Sequence, residues 1–364
     1  MNTLAYKPNC DEIIERLRLW HERQYMDRIL VRCPPPSETL RRFRAERSDG
    51  DCEYPDPNER IAFWDSIFAE QSVVADDTIP AVYLTEMDQG LYGGMVDAEV
   101  RFQCDTDSGW ISSMVVPLWD DWSKFDTLKI DPKHAWFERF LRQLDIFVAG
   151  AGGNFGVSHF ILIDSLNFVF ELLGATGAYM SVETEPEMVR RAVDFAFELN
   201  TLVQDAFFEN TPRLQGGTCS NMVSWAPGRI VSESLDPFHM ASVDYFEKWG
   251  REPVERILGR YDGGVVHIHG NGRHLLETAT TIRGLKAIYM GDDIGFASAI
   301  DIAGELRDRA GDTPLVIRAD FDDFCGKLER HELPGGVLYE VFDTPSVDDA
   351  NRLMDCVRDY AVTG

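Results

Sequence analysis

Apolar residues at helical spacing open the chain. Ile13, Ile14, Leu17 and Trp20 recur among charged neighbours and predict a helix over 11–28. A short extended piece, Ile29-Leu30-Val31, follows and is stopped by Cys33-Pro34-Pro35-Pro36. A second amphipathic helix is predicted over 58–70, where Ile61, Phe63, Trp64, Ile67 and Phe68 form a wide apolar face. The first buried strand is expected over 79–84. Residues 95–132 read as an insertion of short strands and turns carrying Trp110, Trp119 and Trp122. Beyond it come a helix (134–148), a strand (155–163) and two helices (166–173 and 185–208). An irregular strand and loop (218–224) and a helix (237–258) follow. Strands at 265–268, 287–290, 315–317 and 336–341 then alternate with helices at 272–282, 298–309, 321–330 and 347–360. Such alternation argues for parallel strand–helix–strand units. About seven or eight strands from Ile79 onward predict an α/β fold, a single (β/α)8 TIM barrel over 76–364, with 1–75 as an N-terminal helical extension. An open doubly wound sheet is the alternative, but no strand runs into a G-x-G-x-x-G helix opening.

Active sites of α/β barrels lie at the C-terminal ends of the strands. The stretch Gly263-Gly264-Val265-Val266-His267-Ile268-His269-Gly270-Asn271-Gly272 stands out by that rule. Side chains alternate along a strand, so Val265, His267 and His269 share one face while Val266 and Ile268 suit the helix-facing side. The two imidazoles then share a divalent metal or an anionic substrate group. They read equally well as one hydrogen-bonded core residue and one solvated residue. Zinc needs a third protein ligand, for which Glu340 comes first and Cys219 second. Asn221, Asp292, Asp293 and Arg318 are the candidate catalytic residues, with Asp292 or Asp293 orienting an imidazole. Glu86, Tyr92, Asp164, Asn167, Trp225, Asn271 and Tyr339 are candidate substrate contacts. Each has a plain alternative: Asp164 as a helix cap, Cys219 as a small buried residue, Trp225 as packing, and Asp292-Asp293 as a turn. Ser-His-Asp, H-E-x-x-H, Walker and Rossmann signatures are absent.

Composition narrows the partners. The chain has 364 residues, 44% of them hydrophobic, and a formal net charge of -27. That charge repels nucleic acid and anionic membranes, so neither is expected as a partner. Arg41, Arg42, Arg44 and Arg47 form one basic cluster, read as a solvated face. The cysteines at 10, 33, 52, 104, 219, 325 and 356 are odd in number and widely spaced, which predicts a reducing compartment. No apolar leader opens the chain, and no apolar run is long enough for a membrane span, so a cytoplasmic protein is expected.

Several passages resemble the uroporphyrinogen decarboxylase-like superfamily. They are Leu172-Leu173-Gly174 with Thr184-Glu185-Pro186-Glu187-Met188-Val189, and Ser224-Trp225-Ala226-Pro227-Gly228 through Ser232, Leu235 and Asp236. The helix from Phe246 to Ile257, His267-Ile268-His269-Gly270 at the position of an H-x-C-G or H-x-D-G strand end, and Asp27-Arg28 are also similar. The resemblance spans nearly the whole chain and implies a (β/α)8 barrel. It implies one of three activities: methyl transfer to or from a small substrate with a corrinoid or corrinoid-protein partner, decarboxylation of a small or tetrapyrrole carboxylate, or non-catalytic corrinoid or metabolite binding. The methyltransferase branch implies zinc held by H-x-C and a late cysteine. Here His267 matches, His269 replaces the cysteine, and Tyr339 and Glu340 stand near the last strand. The R-Q-A-G-R-Y-type arginine motif of the porphyrinogen decarboxylases is missing, so uroporphyrinogen is not the expected substrate. A second copy of the chain, as a homodimer, completes the expected partners.

Overall fold

Thirteen strands, taken in chain order, organise residues 3–362, which the computed structural model describes. They are β1 (Ile29–Arg32), β2 (Gly50–Cys52), β3 (Ala81–Val82), β4 (Val100–Asp105), β5 (Trp110–Val115), β6 (Gly156–His159) and β7 (Gly217–Ser220). After them come β8 (Ser224–Pro227), β9 (Val231–Ser234), β10 (Gly264–Ile268), β11 (Leu285–Met290), β12 (Leu315–Asp320) and β13 (Val337–Phe342). Six form one parallel sheet in the order β1-β13-β12-β11-β10-β9. Four form a second sheet, β3-β6-β7-β8, parallel except for the β7–β8 hairpin. The two sheets meet at both margins. Leu162 N–H donates to Ser232 O at 2.9 Å beside β9, and Asp77 N–H donates to Val31 O at 2.8 Å beside β1. The architecture is mixed α/β with a mostly parallel central sheet, consistent with an α/β barrel, although the ladders do not run round in one continuous ring.

Two expectations change. Residues 1–75 do not form a purely helical extension, because Ile29-Leu30-Val31 pairs in parallel with β13 and supplies an edge of the six-stranded sheet. Three consecutive apolar residues buried on both faces suit a parallel strand, and that burial makes the piece integral to the core. The helix expected over 237–258 is broken into Asp236–Phe238, Val243–Trp249 and Arg251–Arg260. Ser242 caps the second piece by accepting the Tyr245 N–H.

The 95–132 insertion folds as a hairpin, β4–β5, with β2 added at its edge. The basic cluster lies beside it and stays away from the strand ends: Arg41 pairs with Glu38, and Arg44 reaches Asp107 on the hairpin turn. No helix of the described residues is long and apolar enough to cross a membrane.

Candidate functional site

Register across β9, β10 and β11 builds the site. Ser234 pairs with His267, and His267 pairs with Tyr289. Two residues further along, Asp236, His269 and Gly291 come level with one another, because parallel neighbours advance together. The alternation read from the sequence puts His267 and His269 on one face, and their rings are 4.3 Å apart. Ligand atoms of Asp236, His267 and His269 all lie within 4.8 Å of one another. His269 Nε2 is 3.7 Å from Asp236 Oδ1, and His269 Nδ1 is 3.2 Å from Asp293 Oδ1. Asp293 therefore holds the Nδ1 side of the ring and leaves Nε2 aimed at the cluster. Asp293 Oδ2 also accepts the Asn271 N–H at 3.0 Å.

Burial sets the protonation of the cluster. Desolvation brings His267 down to about 4, with the His269 and His239 rings adding to the effect and the Asp236 charge opposing it. His239, whose Nδ1 is 3.5 Å from Asp236, is likewise brought down to about 4 by burial. His267 is thus a neutral imidazole at pH 7. Burial would raise Asp293, but the Asn271 N–H and the His269 ring hold it below the usual carboxylate value.

Space at the cluster depends on glycine. A Cβ on Gly291 would stand 2.9 Å from His267 Nε2 and 3.3 Å from His269 Nδ1. Gly291→Ala is expected to weaken metal binding by about tenfold or more while leaving the melting curve near wild type, since a displaced ligand costs affinity before it costs the fold. Zinc titration beside thermal unfolding checks this.

Among the candidates for the third ligand, the structure brings neither Glu340 nor Cys219 to the histidines. Glu340 on β13 accepts a hydrogen bond from Tyr289 OH at 2.7 Å, and the Tyr289 ring stands between it and His267. Cys219 lies in the β6–β7–β8 sheet against Gly156, and burial pushes its thiol up to about 12. Tyr339 points the other way along β13. It packs on Phe324 and donates to Pro334 O, so it is a core residue and not a substrate contact.

Other candidates also find structural partners. Glu86 is fully buried, bound by Arg60 at 2.6 Å and Gln143 at 2.7 Å. Tyr92 is buried, with its hydroxyl accepting from Gln204. Trp225 is buried, donates to Leu214 O at 2.8 Å, and lies on Gly217, where any Cβ would collide with the indole. Asp292 accepts from Arg273 and from the Ala299 N–H, which pins the loop after β11. Asp164 and Asn167 sit on the helix-facing side near Glu233, away from the histidines, and Asn167 donates to Ser234 O. Asn221, half-buried, accepts Arg32 Nη1 at its backbone carbonyl, and Arg318 lies exposed near Glu340.

No protein-family model matches this chain, and no curated protein matches it. The chain is similar in fold to a solved methyltransferase from Methanosarcina mazei. The TM-score is 0.61 at 12% sequence identity, over 96% of this chain and 98% of the other. At that identity the likeness concerns the fold.

Sequence reasoning missed two residues as site members. Asp236 lay only within the loop passage of the superfamily resemblance. Asp88, two residues beyond Glu86, carried no motif that marked it. Its loop is strained: Gln89 has φ 63 and ψ -49, and Gly90 N–H donates back to Asp88 O at 2.9 Å. That is a γ-turn, costly for a residue with a side chain. Ser113 of the β4–β5 hairpin holds it in place, donating to Asp88 O at 2.8 Å and accepting the Gly90 N–H. Burial raises Asp88 to about 7, with the Asp236 charge adding to the rise and a hydrogen bond from Tyr83 opposing it. The hairpin thus clamps a loop whose Asp88 carboxyl keeps its proton into the neutral range.

Proposed function

We propose that this chain is a metal-dependent methyltransferase of the (β/α)8 barrel type, acting on a small substrate with a corrinoid as methyl carrier. The observation that carries the reading is the Asp236, His267 and His269 cluster at the ends of adjoining parallel strands. Two imidazoles and one carboxylate suit zinc, and three protein ligands leave a position open for substrate. Fold similarity to the Methanosarcina mazei methyltransferase supports the class of reaction. The joined margins of the two sheets support the barrel.

Zinc at this site would act as a Lewis acid, lowering the pKa of a bound thiol, alcohol or water. The remaining roles belong to the chain itself. Asp293 fixes the orientation of His269, burial keeps His267 unprotonated, and Asp88 supplies a proton at its Oδ1, which has no partner, or takes one up. Decarboxylation of an octacarboxylate is disfavoured, because Arg32 and Arg318 share Glu340 and the Arg41–Arg47 cluster lies elsewhere.

The test is methyl transfer from methylcobalamin to a panel of small thiols and alcohols, followed by the cobalamin spectrum. Transfer is expected with zinc-loaded protein and not with protein stripped by a chelator. Loss of no methyl group with any acceptor, in protein shown to hold zinc, would overturn the assignment.

A further inference from the structure

Three neighbouring strands place charged side chains at one level on the face shared with His267. Arg32 on β1 pairs in register with Glu340 on β13, and Glu340 pairs with Arg318 on β12. Two guanidiniums therefore flank one carboxylate. Arg32 Nη2 is 3.4 Å from Glu340 Oε1, and Arg318 Nε is 3.7 Å from Glu340 Oε2. Both separations exceed the 2.7–2.9 Å of a charge-assisted hydrogen bond. The close partner of Glu340 is the neutral Tyr289 hydroxyl at 2.7 Å. Neither arginine is saturated. Arg32 Nη1 is anchored on Asn221 O at 2.6 Å, while its Nε is buried with no acceptor. Arg318 lies over the Phe342 ring and is 46% exposed at its side chain. The group carries an excess of one positive charge in a chain of net charge -27.

We infer that Arg32 and Arg318 form a subsite for the carboxylate of a small substrate whose reacting end lies at the Asp236–His267–His269 cluster. A single excess charge matches a monocarboxylate better than a phosphate dianion. The planar fork of Arg32, held by Asn221, fits a planar carboxylate in two-point contact. Tyr289 sets the spacing, since its ring is 5.3 Å from the His267 ring and its hydroxyl touches Glu340. The substrate is then a compact molecule with a carboxylate at one end and a metal-seeking group at the other. Only the position of the reacting end rests on the function proposed above; the anion subsite stands on its own contacts.

Calorimetric titration at fixed ionic strength tests this with propionate, 3-hydroxypropionate and inorganic phosphate. Propionate is expected to bind saturably. Arg32→Gln and Arg318→Gln should each weaken it by about tenfold or more, and Arg32→Lys should recover only part, as expected for loss of a two-point charged contact. Propionate should bind equally well to zinc-free and zinc-loaded wild type, which keeps this test separate from the metal assignment. With zinc-loaded wild type, 3-hydroxypropionate should bind more tightly than propionate, and His267→Ala should remove that advantage. Circular dichroism confirms that each variant is folded, and exposed Arg318 provides the variant least able to disturb the core. No propionate binding, binding indifferent to both arginines, or phosphate binding more tightly than propionate would overturn the proposal.

Discussion

Replacing His267 or His269 with Ala, or Asp236 with Asn, abolishes the binding of one zinc ion per chain that titration of the wild type at pH 7 should reveal. The three side chains are the only such group of His, Cys, Asp and Glu among the described residues. His267 lies inside β10, His269 directly follows that strand, and Asp236 opens the turn two residues beyond β9. Removing one of three protein ligands leaves two, too few for a tetrahedral site. Asp293→Asn makes the informative contrast. It keeps all three ligands but loses the carboxylate at His269 Nδ1, and should weaken zinc by about 10- to 100-fold, the usual cost of losing an orienting partner. Glu340→Gln and Cys219→Ser should leave zinc affinity near wild type, because neither reaches the cluster. Zinc binding that survives all three ligand variants would remove the basis of the proposed function.

The second large effect concerns stability against pH. Glu233 on β9 is fully buried, and burial followed by the nearby Asp164 and Asp236 charges raises it well above the usual glutamate value. Asp164 is raised to about 7 by burial, which outweighs the Ser165 backbone N–H that opposes the rise. Glu171 is also raised well above its usual value by burial. A carboxyl whose folded pKa is raised keeps a proton that the unfolded chain has already lost. Stability therefore falls as pH rises from the unfolded value toward the folded one. Histidines work in the opposite direction. His21 and His267 at about 4, and His159 at about 3, lose stability as pH falls below 6.5. Above pH 7 the histidines are silent, and the buried thiols of Cys10, Cys33 and Cys219, raised by burial, share the fall with two raised carboxyls, Glu233 and Glu171.

Each carboxyl should contribute a slope of about 1.4 kcal/mol per pH unit until its own folded pKa is reached. Glu233→Gln keeps the shape and cannot ionise. Denaturant unfolding at pH 7, 8 and 9 should show wild-type stability falling with pH more steeply than that of the variant. The variant should be the more stable protein at pH 9. A flat wild-type profile over this range would show that Glu233 is ionised in the folded protein.

The legible parts of the site share one physical property: they depend on neighbours along the chain. Val265 to His269 alternates, so the common face of the two histidines follows from the pleat without knowledge of any partner strand. The same local logic fails at Tyr339 and Glu340. They are adjacent within β13, yet one faces Phe324 and the other faces Tyr289. Only the register of β13 says which is which. Trp225 failed for another reason: its place on a hairpin against Gly217 buries it, and a tryptophan beside Pro-Gly looks the same on paper whether it lines a mouth or fills a core.

From the sequence alone came the strand–helix rhythm of the second half, the parallel order it implies, the strand that carries His267, and the parity that turns both imidazoles the same way. These rest on periodicities of two and 3.6 residues, which are written locally. Tertiary structure alone decided that Asp236 completes the pair, that β1 joins the sheet and brings Arg32 level with Glu340, and that the β4–β5 hairpin clamps the loop bearing Asp88. These contacts join residues from about 20 to about 300 positions apart, and they are fixed by strand register and by which sheet margins meet. A one-residue slip between β9 and β10 would turn Asp236 away from His269 without altering any local pattern.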